Sequence, residues 1–275
     1  MYSCEDKVAL MFLLYSEVYN PSIWNQFFKD ADSKKYNIYY HQKDEEKGEF
    51  NLKYIPSYRK KKIDYVPSVW GGIGIVQIQN DLLSEALKDK TNQRFIFVSQ
   101  GCIPLYNFNE IYQRAMNTQK SIIKFDSLNE TFPKYEFLKP IIKEKNIQKH
   151  QQWMLLTRKH AQMIIEHTDT INRILQNAPT LQEQWIPDEV VYGSLMKSKN
   201  QEDDILDRCV TYAKFSEEEI TIFNSIERSQ VDEAREIGCL FFRRTLPDNT
   251  FTFDGDSLEY ILGKTKDRVK EKQDF

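Results

Sequence analysis

The segment WIPDEVVYGSLM places two carboxylates at the start of a predicted helix. Pro187 takes the first helical position, and Asp188 and Glu189 follow it in the first turn. A carboxylate held on a rigid helix start beside Trp185 would act as general base toward a hydroxyl group. Helix stability alone selects the same residues, because proline suits the first turn and acids favour the positive end of the helix dipole. The segment predicts a catalytic acid pair, with helix capping as the alternative.

A second candidate is the segment GCLFFRRTLP, in which an apolar strand ends in two arginines. Arg243 and Arg244 come directly before a turn. Two guanidinium groups at the carboxyl end of a strand would hold a diphosphate with paired hydrogen bonds. An exposed strand end without function is the alternative interpretation.

The segment RFIFVSQGCIPLYN runs from a buried strand into a turn that carries no carboxylate. Enzymes of nucleotide sugars with an alternating architecture often place an Asp-x-Asp metal motif after such a strand. The turn here consists of Ser99, Gln100, Gly101 and Cys102. The Asp-x-Asp strings elsewhere are Asp30 with Asp32 and Asp254 with Asp256. We interpret both strings as solvated turns and predict no metal site.

Other catalytic signatures are missing from the sequence. It contains no G-x-S-x-G elbow, no P-loop, no dinucleotide fingerprint and no H-E-x-x-H motif. The run from Gly71 to Gly74 precedes a helix and is interpreted as a flexible helix entry. The scattered histidines do not suggest a metal cluster.

The apolar pattern alternates between continuous runs and helical spacing along the chain. The predicted strands are 8–15, 35–41, 94–99, 121–125, 152–156, 209–213 and 239–242. The predicted helices are 21–29, 75–87, 108–116, 158–167, 187–197 and 257–270. Residues 42–62 are polar and charged, which favours a long mobile loop, and the sheet is expected to resume near Asp64. The alternation predicts an α/β fold with a more helical second half, and ligands at the carboxyl ends of the strands.

Composition and charge limit the classes of function. The chain has 38 Lys and Arg against 41 Asp and Glu, a net charge of -3, so no global bias toward nucleic acid exists. No stretch reaches the roughly 18 apolar residues of a membrane span. The cysteines have no C-x-x-C spacing, and we expect reduced thiols in a cytosol. The four are Cys4, Cys102, Cys209 and Cys239.

Stretches from most of the chain, taken in order, form a set that is more specific than any one of them. They are KVALMFLLYS, IWNQFFKD, KYNIYYHQK, VPSVWGGIGIVQIQNDLLSEALKD, RFIFVSQGCIPLYNFNEIY, HQQWMLLTRKHAQMII, PDEVVYGSL and GCLFFRRTLP. Together they resemble the core-2/I-branching β-1,6-N-acetylglucosaminyltransferase family, with its peptide xylosyltransferase and plant relatives. The resemblance implies a GT-A-like sheet that binds a nucleotide sugar, inversion at the anomeric carbon, and catalysis without a divalent metal.

The resemblance also implies roles for particular residues. Glu189 matches the family's base, with Asp188 beside it, and Arg243 matches a cation that stabilises the departing diphosphate. Lys264 or Lys266 fits a second cation.

Further residues fall in segments that in the family lie near a ligand. His41 and Trp70 match segments near the nucleotide, and Gln152, Trp153 and Arg158 match segments near the acceptor and the sugar. Ordinary packing or a helix-start charge is the alternative for each of these side chains.

The whole sequence therefore predicts a single glycosyltransferase domain over 1–275. Residues 1–125 would form the half that binds the nucleotide sugar, and 126–275 the acceptor and catalytic half. The donor is expected to be UDP-xylose or UDP-N-acetylglucosamine, the acceptor a glycan, and the location cytoplasmic or otherwise soluble, because neither the anchor nor the disulfides of secretory relatives are seen. The rivals are a non-catalytic carbohydrate- or nucleotide-binding protein and an interaction module.

Overall fold

A computed structural model describes residues 6–44, 46, 50–127, 132–178, 186–216, 219–247 and 257–263. Its strands are β1 Lys7–Leu14, β2 Tyr36–Gln42, β3 Lys60–Lys62, β4 Asn92–Ser99, β5 Ile103–Pro104, β6 Ser121–Ile122, β7 Phe125–Asp126, β8 Lys149–His150, β9 Leu155–Thr157, β10 Ile205–Leu206, β11 Thr211–Ala213, β12 Phe215–Ser216, β13 Glu219–Ile220 and β14 Phe241–Arg243. Its α-helices are α1 Pro21–Lys29, α2 Ile73–Leu87, α3 Phe108–Asn117, α4 Arg158–Glu166, α5 Thr168–Gln176, α6 Val191–Ser198, α7 Arg228–Glu236 and α8 Ser257–Ile261.

A seven-stranded sheet forms the centre of the fold, in the order β10-β6-β9-β4-β1-β2-β3. The strands β4, β1, β2 and β3 are parallel to one another, whereas β9 is antiparallel to both of its neighbours. The connections from β1 to β2 and from β3 to β4 contain the helices α1 and α2, since parallel strands need crossover connections. The prediction of an α/β fold is confirmed.

The strand β1 shows why strands in the first half of the chain are predictable from the apolar pattern of the sequence. Its sequence KVALMFLL is almost continuously apolar because helices cover the parallel sheet on both faces. Leu10 and Phe12 pack in the core on one face, with Trp24 of α1. Ala9 and Met11 pack in the core on the other face. The period of two along β1 thus divides its side chains between two hydrophobic layers.

A smaller sheet, in the order β11-β14-β5, joins the two halves of the chain. The strand β14 is parallel to β11 and antiparallel to β5, which directly follows the turn after β4. This pairing brings the end of β14, and with it Arg243, to the end of β4. The sheet is the part of the fold that positions the arginine pair.

A disulfide between Cys209 and Cys239 closes this smaller sheet near the starts of β11 and β14. The expectation of reduced thiols is therefore wrong for these two cysteines. Spacing along the sequence could not reveal the bond, because parallel pairing brings together residues that are 30 positions apart. Cys102 is free and buried.

Loss of this disulfide should lower the stability of the folded protein. For a loop of 30 residues, replacing Cys209 and Cys239 by Ser should lower the free energy of unfolding by about 3–4 kcal/mol. Urea denaturation of the two proteins measures the difference. Reductant should lower the urea midpoint of the wild type to nearly that of the double variant and leave the midpoint of the variant unchanged. An unaltered urea midpoint in the variant would contradict the structural role.

The segment 42–62 departs from the predicted mobile loop. Phe50, Leu52 and Ile55 are buried, and the Phe50 ring lies 4.6 Å from the ring of Tyr40 on β2. The chain then forms the edge strand β3 at 60–62, before the predicted return near Asp64. Isolated apolar residues in a charged stretch gave no periodic signal, yet they were sufficient to pack this segment on the sheet.

The second half contains further differences. The predicted strand at 152–156 lies later, at β9, and helices α5 and α7 were not predicted. The predicted helix 187–197 is divided into a 3-10 turn at Pro187–Glu189 and α6. Across the described residues, none of the helices has the length and apolar composition needed to cross a bilayer.

Candidate active site

The parallel strands of the main sheet end side by side at one edge. β1 ends at Leu14, β2 at Gln42 and β4 at Ser99. Open α/β sheets bind their ligands at this edge, because the loops after the strands surround a common crevice. Gln100 ties two of these loops together, since its Oε1 accepts a hydrogen bond from the backbone N–H of Tyr15 at 2.8 Å. The candidate site is built here.

Arg243 reaches the same edge from the smaller sheet. It is the last residue of β14, and its Nη1 donates a hydrogen bond to Ser99 Oγ. The guanidinium carbon lies 4.2 Å from the centre of the Trp153 ring, within cation–π distance. Burial lowers the pKa of Arg243, while Cys102 and Glu189 act to raise it. Because arginine stays protonated in proteins, this side chain is a fixed positive charge at the strand ends.

The chain after Arg243 is fastened to the turn that follows β4. The Thr245 backbone N–H donates to the Gly101 carbonyl at 3.0 Å, and Thr245 Oγ1 accepts from Asn20 Nδ2 at 2.7 Å. Arg244 packs against Gly101, where an added Cβ would lie 3.2 Å from Arg244 Cγ. Both predicted arginines therefore flank this turn, although only Arg243 contacts Ser99.

The acid pair lies on the 3-10 turn that precedes α6. Ile186 enters this turn in the left-handed conformation, with φ of 46°, which is strained for a β-branched residue. Its backbone N–H donates to the Gly71 carbonyl at 3.0 Å, so the acid turn is tied to the loop before α2. Asp188 is only 3% exposed, and its Oδ1 has no partner among the described residues. The turn that carries the carboxylates is therefore held by backbone contacts, and neither carboxylate forms a salt bridge within the described ranges.

Burial dominates the electrostatics of the acid turn. It raises the pKa of Asp188 to about 8, with Glu189 adding to the rise and Arg243 opposing it. Burial also raises the pKa of Glu189; Lys149 and Arg243 oppose that rise and Asp126 adds to it. The effect of Arg243 on both carboxyl groups places the three side chains in one electrostatic cluster. A carboxylate made more basic in this way suits a general base.

Asp188 should make the protein less stable as the pH rises. A carboxyl group whose pKa is higher in the folded than in the unfolded state stabilises the fold at low pH, and this contribution is lost as the pH rises from about 4 to about 8. Asp188→Asn removes the titration, so its Tm should fall less than that of the wild type between about pH 5 and about pH 8.

Thermal unfolding across this pH range tests the prediction. Asp169→Asn, which changes an exposed acid on α5, should keep the wild-type dependence on pH. An Asp188→Asn variant with the wild-type pH dependence would show that Asp188 ionises normally in the folded protein.

The two residues predicted near the nucleotide differ in exposure. His41 is buried at the end of β2, where its Nε2 accepts from the backbone N–H of Val66 at 3.1 Å. Trp70 is 69% exposed on the loop that the acid turn contacts through Gly71. His41 thus supports the segment leading to this loop, whereas the Trp70 side chain is exposed to solvent.

The three residues predicted near the acceptor do not lie together. Gln152 and Trp153 precede β9, and the antiparallel course of β9 places them beside the end of β4. Arg158 follows β9 and therefore lies at the opposite end of β4. Its Nη1 donates to the carbonyl of Asn92, the first residue of β4, at 2.9 Å. At ~3.3 Å per residue, the two ends of β4 are about 23 Å apart.

Arg158 is a structural side chain in the described part of the molecule. Its guanidinium also donates hydrogen bonds to the carbonyls of Leu87 and Asp89, at 2.9 and 3.0 Å. These bonds cap the carboxyl end of α2. A surface cleft of about 590 Å³ that Arg158 lines lies along α4. Arg158 thus bonds to the carboxyl end of α2 and to the start of β4, and its role near the acceptor stays a prediction.

The remaining predicted residues are few. Asp32 caps a short 3-10 turn by accepting from the Lys34 backbone N–H at 2.9 Å, in agreement with a turn role. No group of three His, Cys, Asp or Glu side chains is arranged to hold a metal ion in the described ranges. Several predictions fall outside those ranges, namely Trp185, Asp254, Asp256, Lys264 and Lys266.

Comparison with known proteins fits this geometry into a family. The family model described as Branch, Core-2/I-Branching enzyme, matches residues 8–240. The chain belongs to the Core-2/I-branching enzyme family. A curated relative, glycosyltransferase BC10 of Oryza sativa subsp. japonica, is 28% identical over 233 residues, which cover 75% of this chain and 57% of the relative. The resemblance predicted from the sequence is confirmed.

A solved structure, the apo form of the WbbM bifunctional glycosyltransferase, also aligns with this chain. The alignment covers 88% of this chain and 46% of the WbbM chain, with a TM-score of 0.40 and 9% sequence identity. The chain spans little more than half the length of the curated relative and less than half of this structure.

The family match covers part of the candidate site. The matched residues 8–240 include Ser99, Trp153 and the acid turn, and Arg243 lies just beyond their end. Sequence reasoning gave Ser99 no role, and it did not single out Asn20. A polar residue at the end of an apolar strand and an asparagine before Pro21 were the available signals, and both are too common to be decisive.

Proposed function

We propose that this Core-2/I-branching family member is an inverting glycosyltransferase that transfers a sugar from a UDP-sugar to a hydroxyl group of a glycan. The observation that carries the proposal is that Arg243, which contacts the end of β4 through Ser99, acts electrostatically on the buried Asp188 and on Glu189 in the turn before α6. The name of the rice relative supports transferase activity. A cation and a basic carboxylate in one crevice are the groups that such a transfer needs.

In the proposed reaction, Glu189 accepts the proton of the acceptor hydroxyl as its oxygen attacks the anomeric carbon. The bond between that carbon and the β-phosphate oxygen breaks from the opposite face, and its electron pair leaves with UDP. Arg243 stabilises the negative charge that develops on the diphosphate, together with Lys264 or Lys266 by family resemblance. Preorganised charge of this kind is usually the largest contribution to the rate of such a step.

The proposal includes catalysis without a divalent metal. The turn after β4 contains Ser99 and Cys102 in place of carboxylates, and the positive charges beside it belong to Arg243 and Arg244. Transfer rates measured in EDTA and in manganese test this point. Equal rates support the proposal, and a manganese requirement would mean that the diphosphate lies elsewhere.

The donor is proposed to be UDP-xylose or UDP-N-acetylglucosamine. The exposed Trp70 supports a role in stacking on the uracil or the sugar. Thermal-shift titrations with UDP, both candidate donors and UDP-glucose rank the ligands, because a ligand that binds the native state raises its apparent stability. Product formation or slow donor hydrolysis then identifies an enzyme. Stabilisation without turnover would identify a nucleotide-binding protein, and no stabilisation would refute the proposal.

A further inference from the structure

We propose that Ser99 and Trp153 are positioning residues that orient the Arg243 guanidinium for binding a diphosphate. This inference rests on the proposed function and assigns a role in donor recognition to two side chains that need not touch the donor. It extends that function from the charged groups to the parts of the fold that hold them in place.

Ser99 fixes one end of the guanidinium. Its Oγ accepts a hydrogen bond from Arg243 Nη1 and lies 3.1 Å from the thiol sulfur of Cys102. Ser99 ends β4, which is paired with β1 up to the register Leu13 to Ser99. The acceptor therefore sits on the most extensively paired strands of the sheet, and its position is rigid.

Trp153 fixes the plane of the guanidinium. The ring centre is 4.2 Å from the guanidinium carbon, and the tryptophan is 5% exposed. Its neighbour Met154 accepts a hydrogen bond from the Phe97 backbone N–H at 3.2 Å, which holds this segment against β4. A planar cation covered on one face and bonded at one end keeps few rotamers.

Two N–H donors in this cluster have no acceptor among the described residues. They are Arg243 Nε and Trp153 Nε1, and both atoms are buried. A buried donor without a partner costs about 1–3 kcal/mol. The unsatisfied Nε of Arg243 favours an oxygen-rich anionic ligand at this guanidinium, and a diphosphate supplies those oxygens.

Positioning makes a specific prediction about affinity. Arginine has considerable rotamer entropy, and without Ser99 the guanidinium must be ordered when the diphosphate binds. Loss of the Ser99 hydroxyl should weaken the binding of UDP and leave the binding of uridine unchanged, because uridine carries no phosphate. A general weakening of the site would affect both ligands equally.

Calorimetric titration and competition with UDP and uridine test the inference on the full chain. Ser99→Ala should raise the Kd for UDP about tenfold, with the Kd for uridine unchanged within about twofold. The matched control is Ser121→Ala, which removes another serine hydroxyl from the same sheet. Ser121 Oγ contacts His160 Nδ1 at 2.7 Å and accepts from the Thr157 backbone N–H at 2.9 Å, so this change should leave both affinities unaltered.

Trp153 variants provide a second measurement if Ser99→Ala does not fold. Trp153→Phe keeps an aromatic face and should weaken UDP binding less than about threefold, whereas Trp153→Leu should weaken it about tenfold. In an Arg243→Ala background, Ser99→Ala should have no further effect, since its partner is gone.

The outcomes separate this inference from the proposed function. Wild-type affinity for UDP in Ser99→Ala and Trp153→Leu, or equal losses for UDP and uridine, would overturn the positioning role alone. A wild-type protein that binds no UDP would overturn the proposed function and this inference together.

Discussion

Replacing Glu189 by Gln should reduce the rate of sugar transfer by about 10²–10⁴-fold and leave the Kd for UDP within about threefold of the wild type. The amide has almost the same shape as the carboxylate but does not take a proton from the acceptor hydroxyl. Since the base acts on the acceptor side, donor binding should survive. Steady-state kinetics with the donor identified by thermal shift, together with UDP calorimetry, measure the two effects separately.

The pH dependence gives an independent check on Glu189. Its pKa is raised by burial, so the wild-type rate should fall as the pH drops through that raised value, because the protonated base is inactive. The matched control is Glu85→Gln on α2, whose carboxylate pairs with Lys88 at 2.6 Å. This control should keep full activity. A fully active Glu189→Gln variant would assign the base to another residue.

Replacing Arg243 by Ala should lower kcat by about 10²–10³-fold and weaken UDP binding at least about tenfold. The change removes the positive charge that would face the departing diphosphate. Arg243→Lys should give an intermediate loss, because lysine keeps the charge but cannot supply the planar fork or stack on Trp153 in the same way. Single-turnover rates and UDP titration measure both effects.

Arg158→Ala is the matched control for Arg243. This variant loses hydrogen bonds to the carbonyls of Leu87, Asp89 and Asn92, so its free energy of unfolding should fall by about 1–3 kcal/mol. Its affinity for UDP should not change. If Arg243→Ala bound UDP as the wild type does while Arg158→Ala did not, the two assignments would be reversed.

The first half of the fold was predictable because its local and long-range signals agree. The strands β1, β2 and β4 are buried on both faces, and helices with one apolar side separate them. In such a parallel arrangement, the direction of each strand follows from the chain, and so does the edge that binds a ligand. The position of Ser99 at that edge follows directly.

The second half was less predictable because its geometry depends on pairing between distant residues. Antiparallel β9 is only three residues long, and its direction places Trp153 beside the end of β4 and Arg158 at its start. The acid turn depends on a left-handed Ile186 tied to Gly71, which no local pattern announces. The family resemblance singled out Glu189 and Arg243 as candidate site residues, but it did not predict the contacts that position them.

The contact between Ser99 and Arg243 also has a consequence for how the molecule is made. The two residues are separated by 144 positions, and Thr245 is bonded to Asn20 across 225 positions. When the parallel strands β1 to β4 have left the ribosome, β14 has not yet been synthesised. The contact between Ser99 and Arg243 can therefore form only after residue 243 has been synthesised, long after the parallel strands.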